Sequence, residues 1–203
     1  MSDLEKAAGE PELNAAAIVA ALNRHQVRYV IIGAFAAIAQ QAPIPATRDI
    51  DLTPEASQEN LTRLSLALKE LDARIRTEAV PEGLPFSHDA MSLAAADVWN
   101  LICADGEFDI SFRPSGFDGG YAELAVNAHR LRVGEVEVVV ADLADVIRSK
   151  ESAGRPKDLR VLPLLYRHQS TRHGGNGWLS SPPGSGGPVR GDPEARKALP
   201  ESE

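Results

Sequence analysis

Apolar residues recur along this chain first at intervals of three and four, then in unbroken or alternating runs, which predicts helices interleaved with strands. Residues 12–25 set Ala15, Ile18 and Leu22 on one stripe, an amphipathic helix. The near-continuous β-branched run 27–33 reads as a buried strand closed by Gly33. Residues 34–41 are small and apolar, suited to a short helix lying close on a sheet, and a loop with Pro43 and Pro45 leads to a short strand at 48–52. Thr53-Pro54 reads as a capped helix start, opening a helix with Leu61, Leu64, Leu68 and Leu71 on one face.

Further on, runs 98–103 and 107–112 flank Ala104-Asp105-Gly106, and Asp-Gly is a strong hairpin signal, so the two should pair antiparallel. Runs 131–133 and 136–140 predict a second hairpin around Gly134-Glu135. Asp142 then caps a helix to about Ala153 with Gly154 as its stop, and a last helix starts near Pro156. This order predicts an α/β (α+β) fold: a mixed β-sheet flanked by helices. The ordered domain is expected to span residues 1–168. Residues 169–203 are rich in Gly and Pro without helical or strand periodicity, the composition of a flexible tail in which Trp178 and Leu179 are the only candidates for docking.

Composition narrows the function classes. The longest apolar run, residues 29–39, is well short of the roughly 20 residues of a membrane helix. With no apolar leader pattern at the start, the expectation is a cytoplasmic protein with no membrane partner. A single cysteine, Cys103, excludes an intrachain disulfide. The net charge of -8 disfavours a broad grip on long nucleic acid, although Arg148, Lys150, Arg155, Lys157 and Arg160 concentrate positive charge locally.

Chemistry gathers in the strand Arg48-Asp49-Ile50-Asp51-Leu52. Side chains alternate there, so Asp49 and Asp51 share one face and Ile50 and Leu52 the other. Two carboxylates at this spacing are either solvated edge residues or ligands of a hard divalent cation that also meets a polyphosphate. In the strand at 107–112, Asp109 lies opposite the apolar Phe108, Ile110 and Phe112, offering a third carboxylate able to take a proton from an attacking hydroxyl. Gly33, between strand and helix, allows the backbone to approach a phosphate. Lys150 continues the buried stripe of Leu143, Val146 and Ile147, a position for a snorkelling lysine or for a cation aimed at a triphosphate.

Together, GAFAAIAQ, PATRDIDL and DVIRSKESAGRPKDLRVL resemble the minimal nucleotidyltransferases of the DNA polymerase β superfamily, and within it the AbiEii and MenT toxin group. The resemblance covers roughly residues 12–168. It implies a nucleotidyltransferase-like fold and Mg2+ held by Asp49, Asp51 and Asp109. It implies nucleotide contacts from Gly33, Ala34, Thr47, Arg48, Lys150, Lys157 and Asp158, with Asp49, Asp51, Asp109 and Lys150 as the catalytic set. The activity it implies is NMP transfer from an NTP to an acceptor hydroxyl, such as a tRNA 3′ end, by the toxin of a toxin-antitoxin pair with a cognate antitoxin as partner. Ala34 stands where the group carries a second Gly or a Ser, and Pro45 where it often carries Arg. Two alternatives stay open: NMP transfer to a protein, and a non-catalytic nucleotide-binding or antitoxin-binding module.

Overall fold

A computed structural model describes residues 12–174. The chain runs α1 (Ala15–Arg24), β1 (Tyr29–Ile32), α2 (Gly33–Ala39), β2 (Asp49–Pro54), α3 (Gln58–Glu70), β3 (Arg74–Thr77) and β4 (Val80–Leu84). It continues through α4 (Ala90–Ala94), β5 (Val98–Cys103), β6 (Gly106–Ser111), α5 (Gly120–Leu124), β7 (His129–Val133), β8 (Val136–Val140), α6 (Leu143–Ala153) and α7 (Pro156–Gly174). The strands form one mixed sheet in the order β4-β3-β5-β6-β2-β1-β8-β7. β2 pairs with β6, and β1 with β8, in parallel; the other neighbours are antiparallel.

The helical stripes expected from spacing are the buried ones: Ile18 and Leu22 on α1, and Leu61, Leu64 and Leu68 on α3. They join Ile50, Leu52, Phe108 and Ile110 in one core cluster. Each such side chain contributes about 1.5–3 kcal/mol by leaving water. The opposite side of β2 and β6 is polar and only half-buried, and that asymmetry at the centre of the sheet places the site.

Both expected hairpins form, β5/β6 around the Asp105-Gly106 turn and β7/β8 around Gly134, as does α6 with its Asp142 cap and a left-handed Gly154 at φ 60°. The expected helix start at Thr53-Pro54 is corrected. Both residues belong to β2, opposite Val30 and Tyr29, and the cap of α3 is Ser57, whose side chain accepts from the Asn60 backbone N–H. The fully buried side chain of Thr53 explains why pairing prevails over local capping, and Pro54 lies beyond Leu52, the last residue of β2 paired with β6.

The helical boundary also moves. α7 continues past Gln169 to Gly174, with Ser170 and Thr171 donating to the carbonyls of Tyr166 and His168 and Arg172 donating to the Gln40 side chain. The rest of the expected tail, Trp178 and Leu179 included, lies outside the described residues. β3, β4, α4 and α5 had no counterpart in the periodicity.

Candidate active site

Register brings the acidic residues together. Asp49 lies opposite Glu107, and Asp51 opposite Asp109, across the parallel β2/β6 pair, while Asp51 also pairs with Ile32 at the end of β1. Partners in register share a face, so Asp49, Asp51, Glu107 and Asp109 form a two-by-two array on the side away from Ile50 and Phe108. Asp49 and Asp109 were legible from alternation together with Asp51; Glu107 has the same period-two relation to Asp109 and was missed.

Asp51 is seated on Gly33. A Cβ at residue 33 would lie 2.0 Å from Asp51 Oδ2, and the glycine has φ 77°, a conformation that L side chains rarely adopt. The glycine therefore gives the carboxylate its room at the start of α2. Ala34, the next residue, is half-buried. On the other flank, Thr47 donates from Oγ1 to Asp49 Oδ1 at 2.7 Å, fixing that carboxylate at the strand entrance.

The electrostatics follow from crowding. Burial, followed by the charges of Asp49 and Asp109, pushes Asp51 up to about 7, with Lys150 and Lys157 pulling the other way. Asp109 is also raised, mainly by burial; Arg76 is the largest opposing influence, while Asp49 and Glu107 add to the rise. Two like charges about 7 Å apart, the spacing of alternate strand residues, repel by about 2 kcal/mol at an effective dielectric of about 20. A divalent cation or a donor-rich ligand relieves that repulsion.

Among the described residues, no three or more His, Cys, Asp or Glu side chains gather as a metal cage. Mg2+ is usually held by one or two carboxylates, completed by waters and phosphate oxygens. The alternate Asp49 and Asp51, two carboxylates crowded on one face, fit that requirement, and a cation between them would offset the repulsion that raises the Asp51 carboxyl.

Lys150 and Asp158 form a buried ion pair, and the charge of Lys150 also acts on Asp51. Lys150 is 8% exposed and donates to Asp158 Oδ1 at 2.7 Å; Arg155 donates to Asp158 Oδ2 at 2.6 Å. Burial alone would raise the Asp158 carboxyl, but the hydrogen bonds from Lys150 and Arg155 hold it below the usual carboxylate range. This cluster ties the end of α6 to the start of α7 across Gly154. Lys157, exposed in the first turn of α7, acts through its charge on both Asp51 and Asp109. Arg48 is exposed beside a cavity of about 510 Å³ that Thr47 and Glu107 also line, with Phe35 and Ile38 as its apolar wall.

One participant gave no sequence signal. Arg76, on β3, reaches Asp109 at 3.4 Å and Glu107 at 3.5 Å although β5 lies between β3 and β6. Its location depends on strand order, which local pattern does not encode.

No protein-family model matches this chain, and no curated protein does. Solved structures do. The structure of ANT(2")-Ia in complex with adenylyl-2"-tobramycin is similar at a TM-score of 0.50 and 16% identity, over 77% of this chain and 87% of that one. This chain has a nucleotidyltransferase fold. A Thermotoga maritima protein named as a nucleotidyltransferase matches at TM-score 0.46 and 16% identity, over 79% of this chain and 89% of that one. A solution structure of ANT(2")-Ia matches at TM-score 0.40 and 16% identity, over 78% and 91%. Among the described residues no helix is long and apolar enough to cross a membrane.

Proposed function

We propose that the protein transfers NMP from an NTP to an acceptor hydroxyl and releases pyrophosphate, with Mg2+ held by Asp49 and Asp51 and approached by Asp109. The observation that carries this reading is the carboxylate array itself, Asp49 and Asp51 in register with Glu107 and Asp109, with Asp51 seated on Gly33. When bound, the metal supplies charge neutralisation for the phosphates. Asp109 accepts the proton of the acceptor hydroxyl as its oxygen bonds to the α-phosphorus. The bond from that phosphorus to the bridging oxygen of the β-phosphate breaks, and pyrophosphate departs. Thr47 keeps Asp49 oriented, Gly33 keeps Asp51 in place, and Lys157 places positive charge beside both carboxylate strands. Lys150 adds its charge from within the Asp158 cluster, Arg48 borders the space for the nucleotide, and Ala34 follows Gly33 at the start of α2.

The resemblance to the AbiEii and MenT group supports a tRNA 3′ end as acceptor in the cytoplasm, with the chain acting as a toxin restrained by a cognate antitoxin. A second reading is favoured by the net charge of -8 and by Glu12 and Glu107 at the neighbouring cavity: a small cationic polyhydroxyl acceptor, as in the tobramycin adduct of ANT(2")-Ia. Incubation with each labelled NTP and Mg2+, in the presence of total RNA, protein lysate or an aminoglycoside, separates these readings. Label on RNA supports the first and label on the small molecule the second. Label on protein redirects the acceptor, and no label in any arm overturns the transferase reading.

A further inference from the structure

The residues across the centre of the sheet form a row. Arg74 pairs with Ile102 and Ile75 with Leu101 in the antiparallel β3/β5 pair, so the next step of that register sets Arg76 beside Asn100. Asn100 in turn pairs with Asp109, and Asp109 with Asp51. Arg76, Asn100, Asp109 and Asp51 thus lie on one line and one face, perpendicular to four adjacent strands. Neighbouring strands are about 4.8 Å apart, so a side chain reaching from β3 to a residue of β6 must cross about two strand spacings. An arginine facing the short Asn100 side chain can do so.

We infer that Arg76 is the positioning residue of Asp109. Its Nη2 donates to Asp109 Oδ1 at 3.4 Å and lies 3.5 Å from Glu107 Oε2, so one guanidinium group spans two neighbouring carboxylates of β6. Among the described residues no hydrogen bond engages Asp109 Oδ2, which leaves that oxygen for the acceptor hydroxyl while the other is held. The planar guanidinium suits this task, because its fixed donors set direction as well as charge, whereas a lysine ammonium offers a point charge alone. Arg76 Nε is buried with no hydrogen-bond partner, so the side chain retains an unspent donor beside the array. Arg76 acts through Asp109 and is not itself placed on the reacting atoms.

The inference rests on the nucleotidyl-transfer reading for its kinetic consequence, and on geometry alone for its structural one. In Arg76→Gln, kcat for NMP transfer should fall by about ten- to a hundred-fold with the KM for NTP within about three-fold of wild type, because orientation of the base is lost while nucleotide contacts remain. Arg76→Lys should recover only part of kcat. An unchanged kcat, a loss confined to the KM for NTP, or full recovery with lysine would overturn the inference. So would a melting temperature that falls in step with activity. A crystal structure of Arg76→Gln gives a readout independent of turnover: Asp109 should occupy more than one rotamer or turn away from Asp51. Asp109 unmoved in that structure overturns the positioning role whatever the reaction. Asp109 displaced in a protein whose wild type labels no acceptor overturns the reaction instead and leaves the role of Arg76 standing.

Discussion

The carboxylate of Asp51 fills the space where a side chain at residue 33 would begin, with Oδ2 only 2.0 Å from the position of that missing Cβ. Gly33 and Asp51 are therefore one unit, since any side chain at residue 33 would occupy the seat of the carboxylate.

Gly33→Ala should consequently remove transfer by more than a hundred-fold and lower stability by about 1–3 kcal/mol, the ordinary scale for a side chain forced into a disfavoured backbone region. Chemical denaturation and a single-turnover assay check the two effects, and wild-type turnover in the variant would contradict the paired roles.

The elevated Asp51 carboxyl, about 7 against an ordinary value of 3.8, gives a stability dependence with a definite sign. Between those values the folded chain keeps a proton that the unfolded chain has lost, so in EDTA the stability contributed by this group falls as pH rises from about 4 to about 7. Asp51→Asn should flatten that slope, and Mg2+ should raise the melting temperature of the wild type most above pH 7. Differential scanning calorimetry across this range is the check.

Lys150 and Lys157 should part company under mutation. Lys150→Ala leaves Asp158, only 1% exposed, with Arg155 as its remaining charged partner, so stability should fall by about 1.5–3 kcal/mol and activity with it. Lys157→Ala removes an exposed cation and should leave the melting temperature within a few degrees of wild type while raising the KM for NTP or lowering turnover by about ten- to a hundred-fold. Equal effects of the two substitutions on stability would refute the division.

Thr47 holds Asp49 through a 2.7 Å hydrogen bond, so Thr47→Val should cost several-fold in kcat and about 1 kcal/mol in stability. Thr47→Glu should silence transfer by placing a further negative charge beside the array. Radiolabel transfer with saturating NTP distinguishes the graded loss from the complete one.

Much of this site was written locally. Alternation alone put Asp49 with Asp51 and set Asp109 opposite Phe108 and Ile110; the Asp105-Gly106 turn fixed the hairpin that carries it. What local pattern could not supply was neighbourhood across the sheet. The contact of Arg76 with Asp109 depends on β5 lying between β3 and β6, and the partner of Lys150 waits beyond a helix break at Gly154. Thr53-Pro54 failed for the converse reason, a good local cap signal outweighed by burial against β1. At the far end, Ser170, Thr171 and Arg172 find partners within α7 and on Gln40 that composition does not register.

The parallel pairing of β2 with β6 has a consequence for the time before the protein is complete. Its two strands are separated in the chain by α3, β3, β4, α4 and β5, so Asp51 meets Asp109 only through a long-range contact, the kind that forms slowly and only once both partners are free of the ribosome. Lys150 and Lys157 emerge later still. A nascent chain stalled before α6 contains the three aspartates but lacks both lysines, and one stalled before β6 lacks Asp109 as well. A copy interrupted before α7 therefore holds only part of the proposed site, whose members come together from segments more than a hundred residues apart.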